Sequence, residues 1–262
     1  MKKWALLLVM ALLMGTHAFA QSETWLRGYD PQAGYQYVHF GVFPQDADGT
    51  ERPILWRVLN VEQGQAYLLS EYILFNSRIH PDDQAYIAFD AAFCETEMFA
   101  LLNGPFEGRP LSADERESLR ERNHMGYVYM AETSFREQAF TPAEQAMLME
   151  DAERGMVFLP SAEEIKGREN GLASSEQRKA FGTAYALANG LFRYQNGSSP
   201  YWTRSQSKSY ASAVRCTKVD GDLGYIRCVV MNEGVRPAVL LRVDGLAPTG
   251  GDGTMENPFT IL

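Results

Sequence analysis

Histidine and cysteine are scarce in this chain of 262 residues, which has four of the first and three of the second. No pair of histidines forms an H-x-x-x-H or H-E-x-x-H signature, so no metal site can be assigned from local spacing. A G-x-S-x-G elbow, a Walker loop and a dinucleotide fingerprint are all missing. Serine is common, but none has a neighbourhood that would activate it, so no catalytic residue and no cofactor is assigned. Three acidic turns, at residues 46–49, 220–222 and 251–253, fall short of a calcium loop, and ordinary turn chemistry accounts for them. Positive charge is also short, with 24 Lys plus Arg against 33 Asp plus Glu and a net of −9. That balance argues against nucleic acid, whose phosphates need clustered Lys and Arg. The longest apolar run, residues 4–14, is about half of the roughly 20 residues that span a bilayer.

That run follows Lys2 and Lys3 and precedes Ala18-Phe19-Ala20, the pattern of an export signal over residues 1–20. The expectation is a secreted or periplasmic protein with no membrane insertion once the signal is cleaved. Removing the two lysines leaves 22 Lys plus Arg against 33 Asp plus Glu, a net of −11. The remaining length of about 240 residues, 12% aromatic over the whole chain, suits one sizeable core. Residues 21–34 read as an N-terminal arm, 35–246 as a single domain, and 247–262 as a loose C-terminal tail rich in Gly, Thr and Pro.

Residues 35–43 are rich in aromatic and β-branched side chains and predict a strand ending near Pro44. Residues 54–61 and 65–70 predict a hairpin. Helical signals follow. Residues 90–102 place Cys94, Met98 and Leu101 at helical spacing, and Asn103-Gly104-Pro105 ends the run. Ser112 with Glu115, Thr141 with Pro142 and Glu144, and Ser161 with Glu164 mark three further starts. A last helix is expected from Ser174 or Ser175 to about residue 188. Strands return at 201–204, 211–218, 225–231 and 237–243. The pattern predicts an α+β fold: a mainly antiparallel sheet, with helices inserted between N-terminal and C-terminal strands. Both strand groups are expected in one sheet, with Trp56 and Trp202 sharing an interior.

Cys216 and Cys228 lie symmetrically about the turn at 220–224. A hairpin centred on Asp222 would set them opposite each other, at a separation that a disulfide bridges. In an oxidising compartment that bond is expected, and over a loop this short the chain-entropy model credits it with roughly 3 kcal/mol. The alternative is a redox or copper-binding pair. Cys94, beside Phe93, reads as a small buried hydrophobe.

Trp202, Arg204 and Arg236 are the candidate ligand-binding residues. An arginine near a tryptophan stacks on the ring or holds backbone carbonyls. Such a group either ties strands together or lines a pocket for an acid or a sugar.

Four short segments carry a family resemblance: Phe40-Gly41 with Pro44-Gln45, Trp56-Arg57-Val58-Leu59, Trp202 with Arg204-Ser205, and Gly234-Val235-Arg236-Pro237-Ala238. In order, they resemble an uncharacterised bacterial family, domain of unknown function 6273, over about residues 35–243. The tail at 251–261 is similar to one such proteins often carry. Phe99 and Leu101 stand where that family usually has arginine and tryptophan, and residues 109–134 resemble an insertion. More distantly, the W-x-R-S and G-V-R-P pieces resemble the C-type-lectin-like fold of formylglycine-generating and sulfatase-modifying enzymes. That resemblance implies a fold and not an activity.

The leading expectation is an exported, non-catalytic, C-type-lectin-like binding module whose partner is a glycan, a peptide or an envelope protein. An enzyme related to the formylglycine-generating group is the second reading, and a structural envelope module the third.

Overall fold

The computed structural model describes residues 25–80, 92–104 and 133–261. The export signal, the helix expected from Ser112 and nearly all of the 109–134 stretch lie outside them.

Three antiparallel strands begin the fold: β1 (Gln36–Pro44), β2 (Glu51–Glu62) and β3 (Gln65–Ser70). Val38 and Phe40 of β1, with Trp56 and Val58 of β2, enter the core from one face of the paired strands, and β2 is buried on both faces from Trp56 to Leu59. Gly41 interrupts β1 at a bulge, with φ at 70° and a register shift between His39 and Val42. A Cβ there would lie 2.6 Å from both the Ala139 carbonyl oxygen and the Phe140 ring, so only glycine fits.

β4 (Phe75–Asn76) leads to the helical portion: α1 (Glu97–Asn103), α2 (Phe135–Ala139) and α3 (Pro142–Gln145). β5 (Val157–Phe158), α4 (Ser175–Arg178), β6 (Ala180–Phe181) and α5 (Ala184–Ala188) come next. β7 (Ser198–Ser199), β8 (Tyr201–Gln206), β9 (Ala213–Thr217) and β10 (Leu223–Arg227) follow. β11 (Gly234–Val235), β12 (Ala238–Arg242) and β13 (Phe259–Thr260) finish the order.

The strands form a six-stranded sheet, β13-β1-β2-β3-β12-β5, a five-stranded sheet, β10-β9-β8-β11-β4, and the β6–β7 pair. Pairing is antiparallel except for β1 with β13 and β8 with β11. The fold is thus α+β and mainly antiparallel, but the expected single sheet is two: β12 and β13 join the N-terminal strands, whereas β8 to β11 pair with β4 in the other. Trp56 stands in the larger sheet and Trp202 in the smaller, and both enter one continuous core. The division falls at Arg236-Pro237, between β11 in one sheet and β12 in the other. Pro237 has no N–H to extend a ladder, and its carbonyl instead accepts the Ser70 N–H, fixing the start of β12 beside β3.

Capping signals held better than helix lengths. Thr141 and Glu144 form the expected capping box, but α3 has only four residues. Ser161 and Glu164 bond reciprocally and close only a 3-10 turn at Glu164–Lys166. The run expected from Ser174 to about 188 is broken in two. Ser174 caps α4, Thr183 caps α5, and β6 lies between them paired to β7. A second cap inside the run, with Gly182 pressed against Leu191, favours that break. The Ser134–Glu137 capping box that opens α2 was not anticipated.

The termini are docked. Leu26 is buried, the Tyr29 N–H donates to the Leu59 carbonyl, and Trp25 packs edge-on against Phe259. Contrary to the expected loose tail, β13 runs beside β1, and the Tyr37 N–H donates to the Gly253 carbonyl.

Candidate functional site

Trp202, Arg204 and Arg236 are each engaged within the chain. Trp202 has no exposed surface, and its indole N–H donates to the Ser77 carbonyl at 2.7 Å, linking β8 to the segment after β4. Arg204 grips Glu164 through two bonds of 2.6 and 2.8 Å, donates to the Leu159 carbonyl, and lies over the Phe158 ring. Burial would raise the Glu164 carboxyl, but the Arg204 bonds and charge outweigh it and hold its pKa below the ordinary value. Arg236 also has no exposed surface. Its Nε donates to the Ser70 carbonyl at 2.7 Å, and its guanidinium lies 5.2 Å from the Tyr201 ring centroid. The Trp202 ring joins the main core, whereas Tyr201, under Arg236, belongs to a second cluster with Ile73, Ala180, Ala186 and Leu191. The three candidates therefore do not converge on one cleft.

The other motif residues are also engaged within the chain. The Trp56 indole donates to the Phe40 carbonyl at 2.7 Å. The Gln45 amide bonds the Arg52 and Pro53 carbonyls. Gly234 passes so close to Pro200 that a Cβ would lie 2.7 Å from its carbonyl oxygen. Arg57 makes two 2.7 Å bonds to Glu71 and stacks on Tyr35. Burial disfavours both charges, but Arg57 holds the Glu71 pKa below its ordinary value while Glu71 raises that of Arg57. Arg236 adds a second guanidinium to this buried layer, and its Nη2 has no hydrogen-bond partner among the described residues.

The cysteines do not follow the expected hairpin. Cys216 is opposite Gly224, and Leu223 opposite Thr217, so the hairpin is centred on Asp220 rather than Asp222. Cys228 instead bonds through its N–H to the Ser212 carbonyl, four residues along the strand from Cys216. Four residues of strand are roughly 13 Å, beyond the reach of a disulfide, and both residues remain thiols. The turn closes earlier because the Lys218 N–H reaches the Asp222 carbonyl at 2.7 Å. Burial, with the nearby Glu233, pushes the Cys216 thiol up to about 12, so it holds its proton. Glu233 is 6% exposed, its Oε2 has no partner, and burial pushes its carboxyl up to about 7. Among the described residues, no group of three or more His, Cys, Asp or Glu could hold a metal ion.

The surface differs from this interior. Tyr210 and Tyr225 are 55% and 50% exposed, and their ring centroids stand 4.7 Å apart. Tyr225 lies on β10, which ends the five-stranded sheet, opposite Arg215 of β9. Two large rings held together in water form a ready apolar platform. Sequence reading missed it because Tyr210 sits in an irregular link, with no periodicity to pair it with Tyr225.

No curated protein and no solved structure matches the chain. One family does: domain of unknown function (DUF6273), over residues 63–243. Phe99 and Leu101, at the positions where arginine and tryptophan were expected, are buried in the main core. With more than half its length matched, the chain belongs to the DUF6273 family.

Proposed function

We propose that this protein is an exported, non-catalytic binding module that recognises a surface ligand, a glycan or a peptide, through the face bearing Tyr210 and Tyr225. The carrying observation is the exposed ring pair, since both glycans and peptides dock on aromatic faces. The motif arginines support the reading by their engagement: Arg57 and Arg204 are neutralised by carboxylates and serve as structural ties. The protonated, buried Cys216 is a poor nucleophile. Pairing of the first strand with the last, β1 with β13, supports a C-type-lectin-like arrangement.

Glycan and peptide arrays probed with the wild type and with a Tyr210→Ala/Tyr225→Ala double variant test the reading. A hit that disappears in the folded double variant supports it. No hit at high protein concentration favours a structural envelope module instead.

A further inference from the structure

We infer that the outer edge of β10 is a strand-addition site for an extended acidic peptide. This rests on the binding-module reading and narrows its ligand to one class.

The register decides which backbone groups face outward. The Lys218 N–H donates to the Asp222 carbonyl at 2.7 Å and the Cys228 N–H to the Ser212 carbonyl at 3.0 Å. In an antiparallel ladder every second pair is hydrogen-bonded. The bonded pairs between those two are therefore Cys216 with Gly224 and Val214 with Ile226. Gly224 and Ile226 thus spend their backbone groups on β9, while the N–H and C=O groups of Leu223 and Tyr225 point away from it. The Arg227 carbonyl is turned back to accept the Val230 N–H, which closes the edge at that end. No described strand pairs with this side of β10. Such a row of amides is a template for an added strand, and the Tyr210–Tyr225 rings give its side chains an apolar surface.

Charge selects the occupant. Residues 207–227 carry Lys208, Arg215, Lys218 and Arg227 against Asp220 and Asp222, a net of +2 in a chain whose net is −9. Lys218 is held by Asp220, and the Arg215 Nε donates to the Gly224 carbonyl, which fixes that cation beside Tyr225. An acidic strand meets complementary charge here. A second copy of β10 would set these cations against themselves, and a glycan would leave the amide row unused.

Fluorescence anisotropy with a labelled decapeptide of alternating glutamate and valine tests the inference. Its controls are the lysine–valine counterpart and the glutamate peptide N-methylated at every second residue. The acidic peptide is expected to bind at least about tenfold more tightly than either control, with affinity falling as salt rises. The Tyr225→Ala variant, its fold checked by circular dichroism, is expected to weaken that binding. Equal binding of the N-methylated peptide overturns strand addition, as does preference for the basic peptide. A concentration-dependent dimer that expels the peptide overturns it as well. If the acidic peptide fails while a tyrosine-dependent glycan hit persists, this inference falls and the binding-module reading stands. Failure in both assays removes both.

Discussion

Arg236 and Tyr225 sit three strands apart across one five-stranded sheet, beside β11 and on β10. Around Arg236 the chain is closed to water. The guanidinium meets the Ser70 carbonyl and the Tyr201 ring, and the neighbouring Arg57 is matched by Glu71. Around Tyr225 the same sheet is open, with an unpaired edge among the described strands and two rings in solvent. The recognisable motifs all lie away from that edge, in β1, β2, β8 and the turn from β11 to β12. Their tryptophans, arginines and glycine join one element to another, so a family defined by them is defined by architecture. On the proposed reading, recognition falls to a surface that none of them marks.

The sharpest way to break this contrast is Arg236→Ala. Removing a fully buried, stacked cation and stranding the Ser70 carbonyl is expected to cost about 3–5 kcal/mol, read as a fall in the urea midpoint. A loss below about 1 kcal/mol would mean that the Arg236 contacts are not what holds the two sheets together.

Titration gives the next effect. The Glu233 pKa is raised from an ordinary 4.5 to about 7, so its contribution is intact below 4.5 and is lost as pH rises through 7. The expected loss is about 3 kcal/mol between pH 4.5 and 8, and Glu233→Gln is expected to flatten that slope. Glu71 has the opposite sign: its pKa is lowered, so its stabilisation is lost as pH falls. Wild-type and E233Q denaturation curves distinguish the two carboxylates, with the Glu233 slope above pH 4.5 and the Glu71 loss below it.

Smaller still is the loss of a helix cap. Ser134→Ala removes the hydroxyl that accepts the Glu137 N–H at the start of α2, leaves the backbone bond to the Glu137 carboxylate, and is expected to cost about 1 kcal/mol in thermal unfolding. At the far end lies Tyr225→Ala, expected to change stability by no more than about 0.5 kcal/mol while removing ligand binding. A large stability loss there would erase the distinction between interior and surface on which the functional proposal rests.

The fold was legible where local chemistry and burial agree. β1 to β3 announce themselves by apolar, β-prone runs, and the Thr141 and Ser161 caps by their partner glutamates. Register and sheet membership were not legible. The Cys216 pairing failed because the turn closed on Asp220 rather than Asp222, a choice made by one backbone bond between Lys218 and Asp222. The division into two sheets depends on β11 and β12 parting at Arg236-Pro237, which composition does not reveal. The Tyr210–Tyr225 pair is formed by tertiary placement alone.

The bond from Arg236 to the Ser70 carbonyl joins groups 166 residues apart. β12 also fills the place between β3 and β5, so the larger sheet stays incomplete until residues beyond 238 have arrived. Neither sheet can close early in synthesis, and assembly has to wait on contacts of long sequence separation, a topology that folds slowly. Until then the amino-terminal meander has an unfilled flank, and the last strands set the moment at which the molecule becomes whole.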